Sequence, residues 1–288
     1  MKISIASGKG GTGKTTVATN LASLISESEN VLLLDLDVEE PNSGLFIGGE
    51  ELFCRVVDRM IPEWNHANCT LCGLCQELCN FNSIVRIASE ILVFKELCHS
   101  CYACSELCPE GALPMKANRM GVTRASQSGR LVFVDSKLDI GQEQAVPLIS
   151  ATKEVAKEFP DRDIILIDSP PGTSCPVIEA TMDSDLVILV TEPTPFGMND
   201  LMLAVETMKE IGRPYVVVIN RYGIGDSRVE EYCINEGIEI IAMIPDDRKV
   251  AEIYSRGKLP YKEVKAFRNE ICRIKDYIYK YKAENTVQ

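Results

Sequence analysis

The chain has 288 residues, 45% of them hydrophobic and 25% charged, which suffices for one large α/β domain or two smaller ones and excludes a disordered or fibrous protein. Thirty Lys and Arg against 42 Asp and Glu leave a formal charge of −12, which repels nucleic-acid phosphate and anionic headgroups, so no nucleic-acid partner and no membrane contact are expected. No segment approaches the roughly 20 apolar residues that span a bilayer, and MKISIASGKGG has no apolar signal stretch before its glycines, which together imply a cytoplasmic location.

In chain order, an apolar strand at 3–6 leads through a glycine-rich turn into a helix at 14–26, with Val17, Leu21 and Leu24 on one face. Short continuous apolar runs follow at 31–35, 163–168, 186–191, 215–220 and 238–243, the pattern of strands covered on both faces. Helical stretches at 147–159, 199–211 and 248–256 alternate with them at βαβ spacing. The expected fold is therefore α/β, a mostly parallel sheet flanked by helices. The alternation breaks between roughly 61 and 117, where cysteine runs replace long elements. This gives a host α/β domain over 1–60 and 119–288, with an inserted α+β domain over 61–118.

Gly8-Lys9-Gly10-Gly11-Thr12-Gly13-Lys14-Thr15 fits G-x-x-x-x-G-K-[ST] and lies between a predicted strand and helix, the context this pattern requires. Gly8, Gly10, Gly11 and Gly13, with Thr12 and Thr16, let backbone N–H groups converge on phosphate oxygens. Lys14 carries charge to the β/γ-phosphates and Thr15 offers a hydroxyl to Mg²⁺. ATP and Mg²⁺ are the cofactors this implies. Asp168 ends an apolar strand and is followed by SPPGT, so it is the Walker B candidate beside the Mg²⁺. Asp35 and Asp37 end another strand, where one of them can orient an attacking water.

Eight of the twelve cysteines fall in two runs, Cys69-x2-Cys72-x2-Cys75-x3-Cys79 and Cys98-x2-Cys101-x2-Cys104-x3-Cys108-Pro109. Both follow the bacterial ferredoxin spacing, in which the fourth cysteine ligates the other cluster. That rule assigns Cys69, Cys72, Cys75 and Cys108 to one [4Fe–4S] cluster and Cys98, Cys101, Cys104 and Cys79 to the second. Zinc is the alternative, although structural zinc sites usually pair two short motifs across a longer gap. Two such clusters lower the formal charge to about −16, so docking partners near the insert should be basic. Cys175 follows Asp168 by seven residues and is either a switch-linked thiol or a small buried side chain; Cys54, Cys233 and Cys272 read as buried, and His66 and His99 as loop residues.

Near the C-terminus Val264, Phe267, Ile271, Ile274, Ile278 and Tyr281 recur at spacings of three and four, while 256–284 holds nine Lys or Arg against four Asp or Glu. This basic amphipathic helix is expected to pack on its own sheet rather than on a membrane.

With these motifs the chain resembles the MinD/Mrp branch of P-loop ATPases, in the variant with an inserted two-cluster ferredoxin domain, and more distantly the nitrogenase iron protein. KGGTGKTT resembles that branch's deviant Walker A, which gives Lys9 the role of a signature lysine reaching the partner's phosphates in an ATP-bound homodimer. LDLDVEEPN resembles switch I, with Asp37 positioning the hydrolytic water and Asp35 and Asn42 supporting the phosphate end. DSPPGTSC resembles switch II, with Asp168 on the Mg²⁺ side and Gly172 at the γ-phosphate. VVVINR and MIPDD resemble base-binding segments, which makes Asn220, Pro245 and Asp247 adenine contacts. The resemblance implies an ATPase whose dimer switch is coupled to two [4Fe–4S] clusters and which delivers or assembles a metallocluster on a client protein. A second implication is ATP-gated electron transfer to a redox client, and a third is a positioning switch with redox-sensing clusters. The last helix does not match the short membrane-targeting tail of MinD proteins.

Overall fold

The computed structural model describes residues 1–285. The chain runs β1 (Lys2–Ala6), α1 (Lys14–Ile25), β2 (Val31–Asp35), β3 (Glu50–Pro62), α2 (Leu74–Leu78), β4 (Ile84–Ile87), β5 (Glu90–Val93), α3 (Ala103–Glu106), β6 (Met115–Ser128) and β7 (Leu131–Leu138). It continues through α4 (Val146–Val155), β8 (Ile164–Asp168), α5 (Cys175–Thr181), β9 (Leu186–Thr191), α6 (Pro195–Glu210), β10 (Tyr215–Tyr222), α7 (Arg228–Asn235), β11 (Ile240–Pro245), α8 (Arg248–Tyr254) and α9 (Lys265–Asn285). Nine strands form one sheet in the order β11-β10-β9-β1-β8-β2-β7-β6-β3, and β4 with β5 form a separate antiparallel hairpin.

From β11 to β7 every recorded pairing is parallel. Every residue of β2 and β9 is buried, which explains why these strands are apolar on both faces instead of alternating. Neighbouring strands align Asp35 of β2 with Asp168 of β8, and Asp168 with Ile5 of β1. Two carboxylates therefore stand side by side at the strands' carboxyl ends, beside the loop that leaves β1. In open α/β sheets ligands bind at such ends, where the strand order reverses. The connection between β6 and β7 is only Gly129 and Arg130, a length that joins antiparallel strands and cannot make a parallel crossover.

Helix α9 buries Phe267, Ile271, Ile274 and Ile278 in the same core as Ile3, Leu21, Ile25 and Leu33. Its apolar stripe is thus the inner face of a sheet-packed helix, as expected. Among the described residues no helix is long and apolar enough to cross a membrane.

Several elements differ from the sequence expectation. Helix α6 begins at Pro195, one turn before 199, because the Thr194 hydroxyl accepts the Gly197 N–H at 3.0 Å and Pro195 occupies the first turn. Strand β11 lies two residues later than expected, and α4 ends at Val155 in a single 3₁₀ turn over Ala156–Glu158. Strands β3 and β6 carry charged residues at outward positions and hold no continuous apolar run, whereas β7 opens on the buried apolar run Leu131 to Val134, which is absent from the expected strands; the short α5 and α7 lack a full helical period of apolar residues.

The chain divides into two compact units. The first comprises residues 1–55, 123–137 and 149–288; the second comprises 56–122 and 138–148. The second is wider than the expected 61–118 because β3 and β6 continue past those limits and because 138–148 joins it. The Arg119 guanidinium bonds Asp139 at 2.7 Å, the Asp139 N–H donates to Met120, and the Gln144 amide donates to the Glu96 carbonyl at 3.0 Å.

Candidate nucleotide and cysteine sites

In the first unit the loop after β1 wraps the N-terminus of α1. Gly11 and Gly13 adopt positive φ (80° and 99°), a conformation that costs glycine little. A Cβ on Gly13 would lie 2.2 Å from the Asn220 amide nitrogen, which itself donates to the Thr12 carbonyl at 2.8 Å. Gly8 is confined for another reason, since a Cβ there would stand 2.0 Å from the Asp200 carbonyl oxygen. The loop thus packs to backbone distance against α6 and is tied to the end of β10 through the Asn220 side chain.

Lys14 is buried and its ammonium donates to Ser7 Oγ at 2.9 Å, while Ser7 Oγ donates to the Lys9 carbonyl. Burial lowers the Lys14 pKa; the nearby Asp168 and Asp37 pull it back up. Asp35 is fully buried and its two oxygens accept the N–H groups of Asp37 (3.1 Å) and Ser43 (2.9 Å). Burial, then the Asp168 charge, raises its pKa well above the carboxylate range. Asp168 accepts the Ser43 hydroxyl at 2.9 Å through Oδ2, whereas its buried Oδ1 has no hydrogen-bond partner among the described residues. Burial pushes Asp168 up to about 6, opposed by the Thr15 hydroxyl beside it, by Lys14 and by Ser43. Asp37 is also raised by burial, against the Glu40 N–H and Lys14. A partnerless carboxylate oxygen flanked by two hydroxyls is the hard-oxygen donor set that suits Mg²⁺.

Lys14, Thr15 and Asp37 open onto a cleft of about 450 Å³. Gly10, Gly11, Gly13, Lys14, Thr15, Thr16, Asp37 and Asn42 line its phosphate-loop end; Asn220, Pro245 and Asp247 line the other. The Asp247 carboxylate also caps α8 by accepting the Lys249 N–H at 2.8 Å. Gly8, Thr12, Asp35 and Asp168 stand behind the cleft wall. Gly172 is not a wall residue either: with φ of 97° it donates its N–H to the Ser7 carbonyl at 3.0 Å. Lys9 points elsewhere, its ammonium 3.9 Å from both the buried Glu192 and Asp200, and 5.9 Å from the Phe196 ring centroid.

In the second unit the eight cysteines sort by neighbourhood. Cys69, Cys72, Cys75 and Cys108 line one pocket with Trp64, Leu74 and Pro109; Cys79, Cys98 and Cys101 line another with Phe81 and His99, and Cys104 borders both. The electrostatics separate the same groups. The Cys75 thiol is pushed up by burial and by Cys69 and Cys108, and Cys104 is pushed up to about 11 by burial and by Cys98, Cys101 and Cys79. Among the described residues no three of these thiols, with or without His, Asp or Glu, converge closely enough for a single metal ion.

The two runs share backbone geometry. Leu71 and Gly73 in the first, Ser100 and Tyr102 in the second, occupy the same offsets and all have positive φ. After the fourth cysteines, Asn82 and Gly111 again match (φ 52° and 58°), and the N–H groups of Ser83 and Ala112 both point at the preceding sulfur at 3.3 Å. Asn80 and Pro109 differ in chemistry, yet the turns that follow them coincide. Cys175 is exposed at the start of α5, Cys233 is buried, and Cys54 is exposed on β3, where the sequence suggested a buried thiol; Cys272 is partly buried.

The CobQ/CobB/MinD/ParA nucleotide binding domain matches residues 3–261. The chain belongs to this family. An uncharacterized protein of Methanocaldococcus jannaschii is 32% identical over 255 residues, covering 88% of this chain and 87% of that protein. The protein named iron-sulfur cluster carrier protein in Pyrococcus horikoshii is 26% identical, covering 89% and 77%. Among solved structures, the septum site-determining protein MinD of Pyrococcus horikoshii, complexed with Mg-ADP, superposes with a TM-score of 0.60 at 20% identity, covering 96% and 95%. At that identity the likeness establishes a MinD-like P-loop fold.

Within this MinD/ParA-type P-loop ATPase framework, sequence reading missed several residues that complete the cleft. Ser43 ties Asp35 to Asp168, Ser7 holds Lys14, and Tyr254 closes the wall, its own pKa raised by burial and by Asp168. Arg221, at φ 53°, lines the cleft and pairs with Glu192 at 2.7 Å. The only signal of Ser43 in the sequence was its place just after PN in the expected switch segment; nothing flagged Glu192.

Proposed function

We propose that this chain is an ATP-binding and ATP-hydrolysing iron–sulfur protein that holds two [4Fe–4S] clusters, closes as a homodimer on ATP, and delivers or assembles a metallocluster on a client protein. The observation that carries the reading is the sorting of eight thiols into two crossed sets with duplicated loops. Four thiols lining each pocket suit a cubane, which takes one thiolate on each of four irons. The P. horikoshii relative named iron-sulfur cluster carrier protein favours cargo delivery over other uses of the same parts.

In this reading Cys69, Cys72, Cys75 and Cys108 hold one cluster, and Cys98, Cys101, Cys104 and Cys79 the other, over the segment 61–118 inserted between ATPase portions 1–60 and 119–288. Bound cubanes supply one-electron redox capacity or transferable iron and sulfide. At the cleft, Gly8 to Thr16 with Lys14 bind the phosphates, Thr15 and Asp168 face Mg²⁺, and Asp37 orients the attacking water. Asp35 and Asn42 support that end, Gly172 meets the γ-phosphate once its N–H leaves Ser7, and Asn220, Pro245 and Asp247 contact the base. Lys9, whose ammonium lies 3.9 Å from both Glu192 and Asp200, serves the partner's nucleotide.

The ferredoxin-type duplication of the cysteine loops favours a second reading, ATP-gated electron transfer. An anaerobic redox titration followed by EPR, with and without Mg²⁺ and a non-hydrolysable ATP analogue, separates the two. Midpoints that do not move with nucleotide, together with iron and sulfide passing to an apo-acceptor, support the carrier. A nucleotide-dependent shift without transfer supports gating and overturns it. The positioning-switch reading has least support, since the apolar stripe of α9 is buried.

A further inference from the structure

The two cysteine loops are so closely duplicated that their differences stand out. Four residues after each fourth cysteine, Ser83 and Ala112 occupy the same place: both donate their N–H to the preceding sulfur at 3.3 Å, both are buried at 3% and 1% exposure, and each precedes a buried apolar residue, Ile84 or Leu113. They differ by one hydroxyl. Ser83 Oγ lies 3.1 Å from Cys79 Sγ, and the Ala112 side chain has no donor to offer Cys108.

A sulfur that ligates iron is a thiolate without a proton, so Ser83 must then be the donor of this bond. A donor aimed at a ligand sulfur withdraws negative charge and stabilises the state with the extra electron, which raises the potential. Burial keeps water from competing for either partner and strengthens the bond. The Ser83 and Ala112 N–H donors match at 3.3 Å and cancel in the comparison; the hydroxyl does not.

Resting on the two-cluster reading above, we propose that Ser83 sets the potential of the site formed by Cys98, Cys101, Cys104 and Cys79, making it more readily reduced than the same loop would be with alanine, as the Ala112 loop has. Ser83 acts through Cys79 and is a positioning residue rather than a ligand.

The test uses the full chain, purified anaerobically and titrated with dithionite while EPR follows each cluster. In Ser83→Ala one midpoint moves to lower potential and the other stays, with the reduced-to-oxidised ratio at a fixed potential falling about tenfold, equivalent to about 59 mV for one electron. In Ala112→Ser the midpoint that stayed put in the first variant rises instead. This reciprocal gain keeps the proposal testable even where Ser83→Ala loses cluster. Iron and sulfide at two-cubane content, with midpoints unmoved in the intact variants or moved together, overturn the inference alone. Wild-type protein without sulfide overturns the two-cluster reading on which it rests.

Discussion

The nucleotide cleft and the cysteine unit are built by opposite means. Around the cleft, a core that includes Ile3, Ile5, Leu33, Leu166 and Ile188, all essentially unexposed, fixes the strand ends, and the site groups are already engaged with one another: Lys14 on Ser7, Asp35 and Asp168 on Ser43, Asn220 on Thr12. In the second unit the core cluster of buried residues is Ile84, Ile91, Cys104 and Leu113, with Cys69, Cys75 and Cys79 packed against it. Thiols make up much of this core. A site positioned by apolar burial exists before its ligand arrives, whereas one whose core is made of thiols depends on what the thiols hold.

The largest expected effect follows from this contrast. Stripping iron with a chelator, or replacing Cys72 and Cys101 together by alanine, should expose residues 56–122 to rapid proteolysis and abolish absorbance near ~400 nm. The first unit should keep its unfolding transition and its nucleotide affinity. A second unit that stays protease-resistant without iron breaks the comparison.

Lys14→Ala is next. Losing the buried cation that serves the phosphates should weaken ATP binding by at least ~100-fold, about 3 kcal/mol, and leave cluster absorbance unchanged. Isothermal titration beside a visible spectrum checks both halves. Normal ATP hydrolysis by this variant contradicts the phosphate-loop account.

Asp168 sharpens the contrast through pH. Its folded pKa of about 6 lies above the unfolded value of about 4, so between these values the folded state binds more protons than the unfolded state. Asp168 therefore makes stability fall as pH rises from about 4 to about 6, with no further change above. Asp168→Asn keeps an acceptor for Ser43 and removes the charge. It should match the wild type near pH 4 and exceed it by about 3 kcal/mol at pH 7 in urea unfolding without added nucleotide. Equal slopes with pH in both proteins contradict the assignment.

The smallest effect is at Asn220. Asn220→Ala loses the bond to the Thr12 carbonyl, worth about 1 kcal/mol, and should weaken ATP binding roughly fivefold with little change in thermal stability. An unchanged dissociation constant would mean that the loop is held without it.

The same contrast explains what could be read from the sequence. The P-loop, the strands at 31–35 and 186–191 and the cysteine runs are local signals, carried by spacing or by burial on both faces. Ser43 joining Asp35 to Asp168, Ser7 under Lys14 and Glu192 beside Lys9 are convergences of residues far apart in the chain, fixed by sheet register. Strands β3 and β6 escaped because Arg55 and Arg124, paired with Glu158 and Asp135, interrupt any apolar run, whereas β7 does carry such a run at Leu131 to Val134. The Ser83 and Ala112 difference lay open in the sequence, but only the coincidence of the two turns gives it meaning.

The most direct test of the account is iron, acid-labile sulfide and zinc analysis of anaerobically purified protein, with EPR of the dithionite-reduced sample. Two cubanes' worth of iron and sulfide per chain and a signal from interacting [4Fe–4S] clusters are the predicted result. Stoichiometric zinc with no sulfide would contradict it.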